Sequence, residues 1–289
     1  KYAAIFSMTL FMLSVVSLFH YGLNFGLDFT GGTQIEVTYT QPANLPEMRT
    51  QLAKAGFGEA VVQPYGSLKN VAIRIAPHEG LKQQQLQKQV LAALPGASLQ
   101  RADYIGPQVG HQLVTNGILA ILVSLLATMV YVALRFEYRF AVSAIVALIH
   151  DPILILGIFS FFHLEFDLIS LAAVLTIIGY SLNDTIVVYD RVRENFRKVR
   201  RGTSLEIMNL SINQTLSRTI MTSGLTFLVV IALFIFGGET LRGFSLALII
   251  GIVIGTYSSI YVAGALAVAM GLDSSSLLPS SRTEVDDRP

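Results

Sequence analysis

The residues with the clearest capacity for chemistry lie in one stretch, TIIGYSLNDTIVVYDRVRENFRKVRR, from Thr176 to Arg201. It begins as an apolar run and ends as a basic one, with Asn183 and Asp184 inside the apolar part. A carboxyl embedded among apolar residues is expensive, and in a membrane segment it marks function by default. On a helix at about 100° per residue, Thr176, Tyr180, Asn183, Asp184 and Arg191 share an arc of about 100°. Leu175, Ile178, Leu182 and Ile186 take the other side, so the stripe is expected to face other helices or an aqueous crevice. Arg218 is the natural partner for Asp184, because it opens the next apolar run, which returns antiparallel. Low dielectric disfavours the ionised carboxyl and a nearby cation favours it, while arginine stays charged. An aspartate that alternately meets and leaves such an arginine releases and captures a proton. The other reading of the pair is a static link that pins two helices.

His150-Asp151-Pro152 offers a second carboxyl within an apolar run. Pro152 removes a backbone hydrogen bond. Asp151 reads equally as a local cap for freed backbone groups and as a second proton-carrying group. His150 and Asp151 diverge by about 100° on a helix, so joint action is not required of them.

Those residues need a scaffold, and composition says which kind. The chain of 289 residues is 53% hydrophobic and only 13% charged, with mean hydropathy +0.59. Soluble domains carry about 25% charged residues, so this is mainly a membrane protein. A formal net charge of +1 gives no ground for nucleic-acid binding, and zero cysteines exclude disulfides, thiolate nucleophiles and cysteine-ligated metals. The residues call for no cofactor and no metal.

A spanning helix needs roughly 20 apolar residues. Six runs qualify: Ala3–Tyr21, Leu113–Leu134, Phe140–Phe162, Leu168–Tyr189, Thr219–Phe236 and Phe244–Met270. The first has no small-x-small cleavage site before Tyr21 and reads as a retained anchor rather than a signal peptide. Gly251 and Gly255, a small-xxx-small pair, and the Thr222-Ser223-Gly224 run read as helix-packing signals. The segment after the fourth run holds Arg191, Arg193, Arg197, Lys198, Arg200, Arg201 and Arg218 against Asp190, Glu194 and Glu206; Arg135 and Arg139 follow the second. The short segments His163–Asp167 and Gly237–Arg242 are acidic or nearly neutral. Positive-inside placement puts both termini and the basic loop 190–218 in the cytosol. The expected organisation is therefore helix one over 1–21, an outside domain over 22–112, helices two to six over 113–270, and a disordered cytosolic tail over 271–289.

The outside segment has soluble composition. Gly32–Tyr39, Ala60–Tyr65, Val71–Ile75 and Ser98–Ile105 read as strands, the middle two joined by a Gly-Ser-Leu-Lys-Asn turn. Leu45–Ala55 and Leu81–Leu94 read as helices, the second with a solvated glutamine face. The order βαββαβ suggests a ferredoxin-like α+β periplasmic domain. Before it stands GLDFTGG, Gly26–Gly32, whose paired Gly31 and Gly32 permit backbone angles closed to other residues. Asp28 is suited to bond nearby backbone N–H groups in that turn. A tight shoulder between membrane and domain is the favoured reading. No P-loop lysine follows, and a strand follows where a helix should.

Catalysis finds no support. GYSLND does not match the Gly-x-Gly-Asp of intramembrane aspartyl proteases, Ser223 has no membrane histidine to work with except His150, and His78-Glu79 has no nucleophile beside it.

Five segments carry a resemblance: GLDFTGGTQIEV (Gly26–Val37), ALIHDP (Ala147–Pro152), IGYSLNDTIVVYDRVRENFRKVRRG (Ile178–Gly202), TLSRTIMTSGLTF (Thr215–Phe227) and FGGETLRGFSLALIIGIVIGTYSSIYVA (Phe236–Ala263). In that order they resemble the bacterial SecD/SecF family of protein-export membrane proteins, within the RND superfamily, over nearly the whole chain. The resemblance implies six spans and one outside domain, in the inner membrane. It implies a heteromeric partner, SecD, work with the SecYEG translocon and in some cases YajC, unfolded polypeptide as substrate, and use of the proton-motive force late in translocation. It ties Asp184 and Arg218, and less directly Asp151, to proton transport. An RND-type small-molecule exporter and a scaffold subunit remain the alternatives. A domain of about ninety residues is small for a drug vestibule, since ligand pockets run to about 300–1,000 Å³.

Overall fold

The computed structural model describes residues 2–77, 83–199 and 202–272. The expectations for His78-Glu79, Leu81, Arg200, Arg201 and the tail beyond residue 272 fall outside the described residues.

Six helices are long and apolar enough to cross a membrane. They are α1 (Tyr2–Tyr21), α5 (Pro107–Arg135), α6 (Tyr138–Phe161), α7 (Leu168–Lys198), α8 (Ser204–Phe236), and α9 (Gly238–Tyr257), which runs through a π-turn into α10 (Ala263–Ala269). Their apolar windows are 56%, 50% and 44% buried for α6, α7 and the α9–α10 rod, but 17%, 11% and 17% for α1, α5 and α8. Three helices therefore make the centre and three the periphery.

The ends of these helices differ from the hydropathy reading. Pro107 opens α5 behind Gly106, six residues before Leu113, because proline loses nothing at a helix's first turn. The basic segment 190–218 is mostly not a loop. Helix α7 continues to Lys198, and α8 starts at Ser204 behind a capping box in which Thr203 and Glu206 satisfy each other's backbone N–H. Apolar run length locates where a helix lies in the bilayer, whereas arginine, lysine and glutamate sustain the same helix beyond it. The last span is also no plain helix: Ser258–Val262 form a π-turn that periodicity does not announce.

Between α1 and α5 lies the α+β domain. Strands β2 (Gly32–Thr38), β3 (Val61–Tyr65), β4 (Ser67–Ile75) and β5 (Ser98–Ile105) form an antiparallel sheet in the order β3-β4-β2-β5. Helices α3 (Leu45–Lys54) and α4 (Gln83–Ala93) cover one face, with Ile35, Val37, Leu52, Ile73, Leu86 and Val90 in the core. This is the ferredoxin-like split βαβ arrangement. The expected five-residue turn is shorter: only Gly66, at φ +74°, separates Tyr65 from Ser67, which pair directly. The Ser-Leu-Lys-Asn residues are drawn into β4, where Asn70 pairs with Thr38.

The shoulder Gly26–Gly32 is compact. Strand β1 (Asn24–Phe25) pairs in parallel with β6 (Glu165–Phe166), between α6 and α7. A single turn, α2 (Leu27–Thr30), then delivers Gly31 at φ +66° and Gly32 at φ +119°. A Cβ on Gly32 would run into the Ile75 carbonyl oxygen, and one on Gly31 would come within 3.2 Å of the Ile105 carbonyl oxygen. Asp28 bonds not a neighbouring amide but one far along the chain: its Oδ2 accepts from Leu168 N–H at 2.9 Å.

Gly32→Ala is expected to destabilise the whole chain by about 1–3 kcal/mol or more, since a side chain at this φ is strained even before the clash. Thermal unfolding of the detergent-purified protein measures it; an unchanged midpoint contradicts the packing described here.

Candidate functional site

Two apolar cores divide the helical bundle. One gathers Phe140, Ala144, Tyr189, Val192, Met208 and Ala263; the other gathers Ile155, Phe159, Val174, Ile177, Ala247 and Ile252. Between these two sets α6, α7 and the last span bury His150, Asp151, Ser181, Asp184, Thr185, Ser258 and Ser259, alongside apolar Leu148, Leu154 and Ile178.

Asp151 is the better satisfied carboxyl. It is 1% exposed. Its Oδ2 accepts from Ser181 Oγ at 2.5 Å and Ser258 Oγ at 2.7 Å, and its Oδ1 lies 3.0 Å from His150 Nδ1. His150 Nε2 in turn lies 2.7 Å from Ser7 Oγ on α1. Three helices thus meet on one side chain, and α1 joins them through His150. The reading of Asp151 as a local cap does not describe this structure, because all its partners are side chains and Ser181 and Ser258 come from other helices. His150 and Asp151, about 100° apart at Cα, are nevertheless in contact: the imidazole folds back to the carboxyl, which helical angles measured at Cα do not capture.

Asp184 is 3% exposed and has fewer partners. Its Oδ2 accepts from Ser223 Oγ at 3.2 Å, and Ser223 Oγ accepts from Thr256 Oγ1 at 2.9 Å. Arg218 acts on it electrostatically, but among the described residues no direct ion pair joins them. The reason is helical phase. Ser211, Thr215, Thr219 and Ser223 recur every fourth residue and are the buried face of α8. Arg218 is exposed, about 100° around the helix from Thr219 and about 140° from Ser223. Two further buried oxygens nearby in sequence, Tyr180 Oη and Thr219 Oγ1, have no hydrogen-bond partner.

The proposed stripe on α7 divides. Asp184 points inward, Thr176 and Asn183 are exposed, and Tyr180 and Arg191 are intermediate. The inner face instead carries Ser181 and Thr185, two residues the sequence reading passed over. Thr185 Oγ1 donates to Ser259 Oγ at 2.9 Å, and Ser259 Oγ donates to the Ser181 carbonyl at 3.0 Å. Consecutive serines at the π-turn therefore reach Asp151 on α6 and the backbone of α7. The available signal was Ser258-Ser259 within an otherwise apolar run.

Glycine makes this closeness feasible. A Cβ on Gly251 would collide with Ile177, and one on Gly255 would sit 3.1 Å from Ser181 Cβ. On the other side of the bundle all three buried residues of α1 are serines: Ser7, Ser14 and Ser17. Ser17 Oγ donates to Ser160 Oγ at 3.1 Å, and Ser14 lies against Gly157. Among the described residues no cluster of three His, Asp or Glu side chains suits a metal ion.

The family model for the protein export membrane protein SecD/SecF C-terminal region matches residues 85–273, and that for the SecD/SecF GG motif matches residues 16–43. The chain is 49% identical to the protein translocase subunit SecF of Vibrio alginolyticus, covering 100% of this chain and 95% of that one. It is 49% identical to the same-named subunit of Pseudomonas aeruginosa, over 98% and 94% of the two chains. Among solved structures it superposes on SecDF, a translocon-associated membrane protein from Thermus thermophilus, with TM-score 0.86 and 39% identity. Against SecDF in a super-membrane-facing form the TM-score is 0.68. In both, the match covers 93% of this chain but only 37% of the solved one.

The unequal satisfaction of the two carboxyls has a measurable consequence. Each buried donor left without an acceptor costs about 1–3 kcal/mol. Asp151→Ala, which orphans Ser181 and removes one partner each from Ser258 and His150, should lower the thermal midpoint of the purified protein more than Asp184→Ala, which leaves the Ser223 hydroxyl without its acceptor. The reverse order speaks against this hydrogen-bond assignment.

Proposed function

The chain belongs to the SecD/SecF family of protein-export membrane proteins, and from that membership we propose a proton-motive-force-driven role in the late, outer-face steps of polypeptide translocation. It is a multi-pass membrane protein and an accessory subunit of Sec translocation. In the proposed arrangement it sits in the bacterial inner membrane with both termini and the basic α7–α8 junction in the cytosol. The α+β domain faces the periplasm, where unfolded polypeptide emerges. The role is transport, without a catalytic step.

The proposed partner is SecD. Its support is a surface unsuited to lipid. Thr176 and Asn183 on α7 and Arg218 and Thr222 on α8 are exposed on spanning helices, and a Cβ added at Gly179 or Gly224 would meet open space. Polar groups at membrane depth face protein or a water-filled cavity, not hydrocarbon. A second helix bundle over this face would complete it. Assembly with SecYEG, and with YajC, belongs to the same proposal.

The observation that carries the proton reading is the state of Asp184: buried, held by one hydroxyl, and without an ion pair to Arg218 among the described residues. Low dielectric works against a carboxylate and a contacting cation works for it. A shift of α8 against α7 that brings the guanidinium into contact would expel the proton. One charge moved through about 100 mV is worth about 2.3 kcal/mol, and conformers commonly differ by a few kcal/mol, so proton passage is sufficient to bias a domain movement. In this reading Asp151 is the second proton-bearing group, bonded to Ser181 on the helix that carries Asp184. No observation favours a small-molecule exporter.

Asp184→Asn should leave the complex assembled in membranes and abolish the proton-dependent part of export in inverted vesicles. Normal export by an assembled variant refutes the proton reading; disappearance of the complex from the membrane supports a scaffold role instead.

A further inference from the structure

The α+β domain has two covalent roots, α1 and α5, and both belong to the peripheral set of helices. Its third attachment is non-covalent and reaches the centre of the bundle. Asp28 Oδ2 accepts from the backbone N–H of Leu168, the first residue of α7, beside Asp167, whose Oδ1 accepts from Ser170 N–H at 2.7 Å. Two carboxylates thus cap one helix start, which its dipole favours. Arg74, on the sheet face turned away from α3 and α4, donates to Glu165 Oε2 at 3.0 Å and to the Phe25 carbonyl at 3.2 Å. Gly26 N–H donates to the Phe166 carbonyl at 2.9 Å, extending the β1–β6 pairing. All these contacts converge within four residues of the N-terminus of α7, and Asp184 lies on that same unbroken helix.

We infer that Asp28, Arg74 and Glu165 are positioning residues through which axial displacement of α7, the helix that bears Asp184, is delivered to the α+β domain. The inference rests on the proton reading of Asp184 given above. Its physical basis is stiffness. From Leu168 to Asp184 is about 24 Å of continuous helix, and a packed helix carries a displacement along its axis through such rigid contacts. The covalent roots α1 and α5 do not carry Asp184; α7 does.

The sheet face bearing Arg74 also has room to move. Between it and the membrane part lies a cleft of about 540 Å³ lined by Gln34, Glu36, Gln63, Tyr104, Leu164 and Thr240, among others. Arg74 spans from the domain to the far wall as a charged strut. The charged groups facing Glu165 are Arg74, Asp167 and Asp28. Burial, the largest influence, raises the Glu165 carboxyl above the usual range, Arg74 opposes this, and Asp167 and Asp28 add to it. The strut is therefore held by geometry and a single guanidinium rather than by abundant charge.

The experiment uses the full chain co-assembled with its partner in vesicles. Since the chain has no cysteine, cysteines at Gln63 and Thr240, on the cleft lining, accept spin labels that report domain position as a distance. The variants are Arg74→Glu, Glu165→Arg and the double exchange, with Asp28→Ala and Asp28→Asn as a second pair. The expected result for each single exchange is retained Asp184-dependent proton flux, with loss of both the potential-dependent distance change and of proton-driven export. The double exchange restores them in part, because a carboxylate at position 74 cannot donate to the Phe25 carbonyl. Asp28→Ala behaves as the single exchanges do, while Asp28→Asn, whose amide oxygen still accepts from Leu168, retains coupling. Single exchanges that keep the distance change and export overturn the inference, as does loss of proton flux alongside them. The proton reading itself fails separately, through normal flux and export in Asp184→Asn, whatever the strut variants show.

Discussion

A carboxyl at the centre of a helical bundle, away from water, has to be given its hydrogen bonds by the protein. Asp151 imposes that constraint here, and much of the bundle answers it. Ser181, Ser258 and His150 must arrive together from α7, the last span and α6 itself. In this arrangement those hydrogen bonds, 2.5 to 3.0 Å long, set the mutual height and rotation of three helices.

Small residues follow from the same constraint. Serine hydroxyls are short, so the helices carrying them must approach closely, and Gly251 and Gly255 let the last span come against Ile177 and Ser181. The π-turn at Ser258–Val262 sits at the same level. π-turns inside α-helices are frequent at functional sites, and this one presents one serine to α6 and the next to α7. Asp184, by contrast, has a single hydroxyl partner among the described residues. The two buried acids thus differ in how many side chains hold them.

The shoulder translates this geometry out of the bundle. Gly31 and Gly32 take backbone angles that let the domain's first strand leave the membrane part at once, and the turn before them sends Asp28 to the head of α7. The domain is thereby anchored to the helix that bears Asp184, not merely tethered by the helices that flank it in sequence.

Much of this was legible in the residues alone. Six apolar runs gave the spans, period-two and helical patterns gave the βαββαβ domain, and Asp184 in an apolar run identified itself by its cost in hydrocarbon. The ends of α5, α7 and α8 were less legible, since hydropathy reports where lipid is and helix propensity continues past it. What the sequence could not say was which side-chain atoms meet. Asp184 finds Ser223 rather than Arg218 because α8 turns Ser223 inward and leaves Arg218, about 140° around the helix from it, exposed. His150 turns to Asp151, its neighbour in sequence, and Asp28 caps a helix 140 residues away. Composition and periodicity determine which elements form and what each prefers to bury, because those are properties of short stretches of chain. The rotation and height at which helices pack decide the partners, and those are settled only when every buried polar group in the bundle has to be satisfied at once.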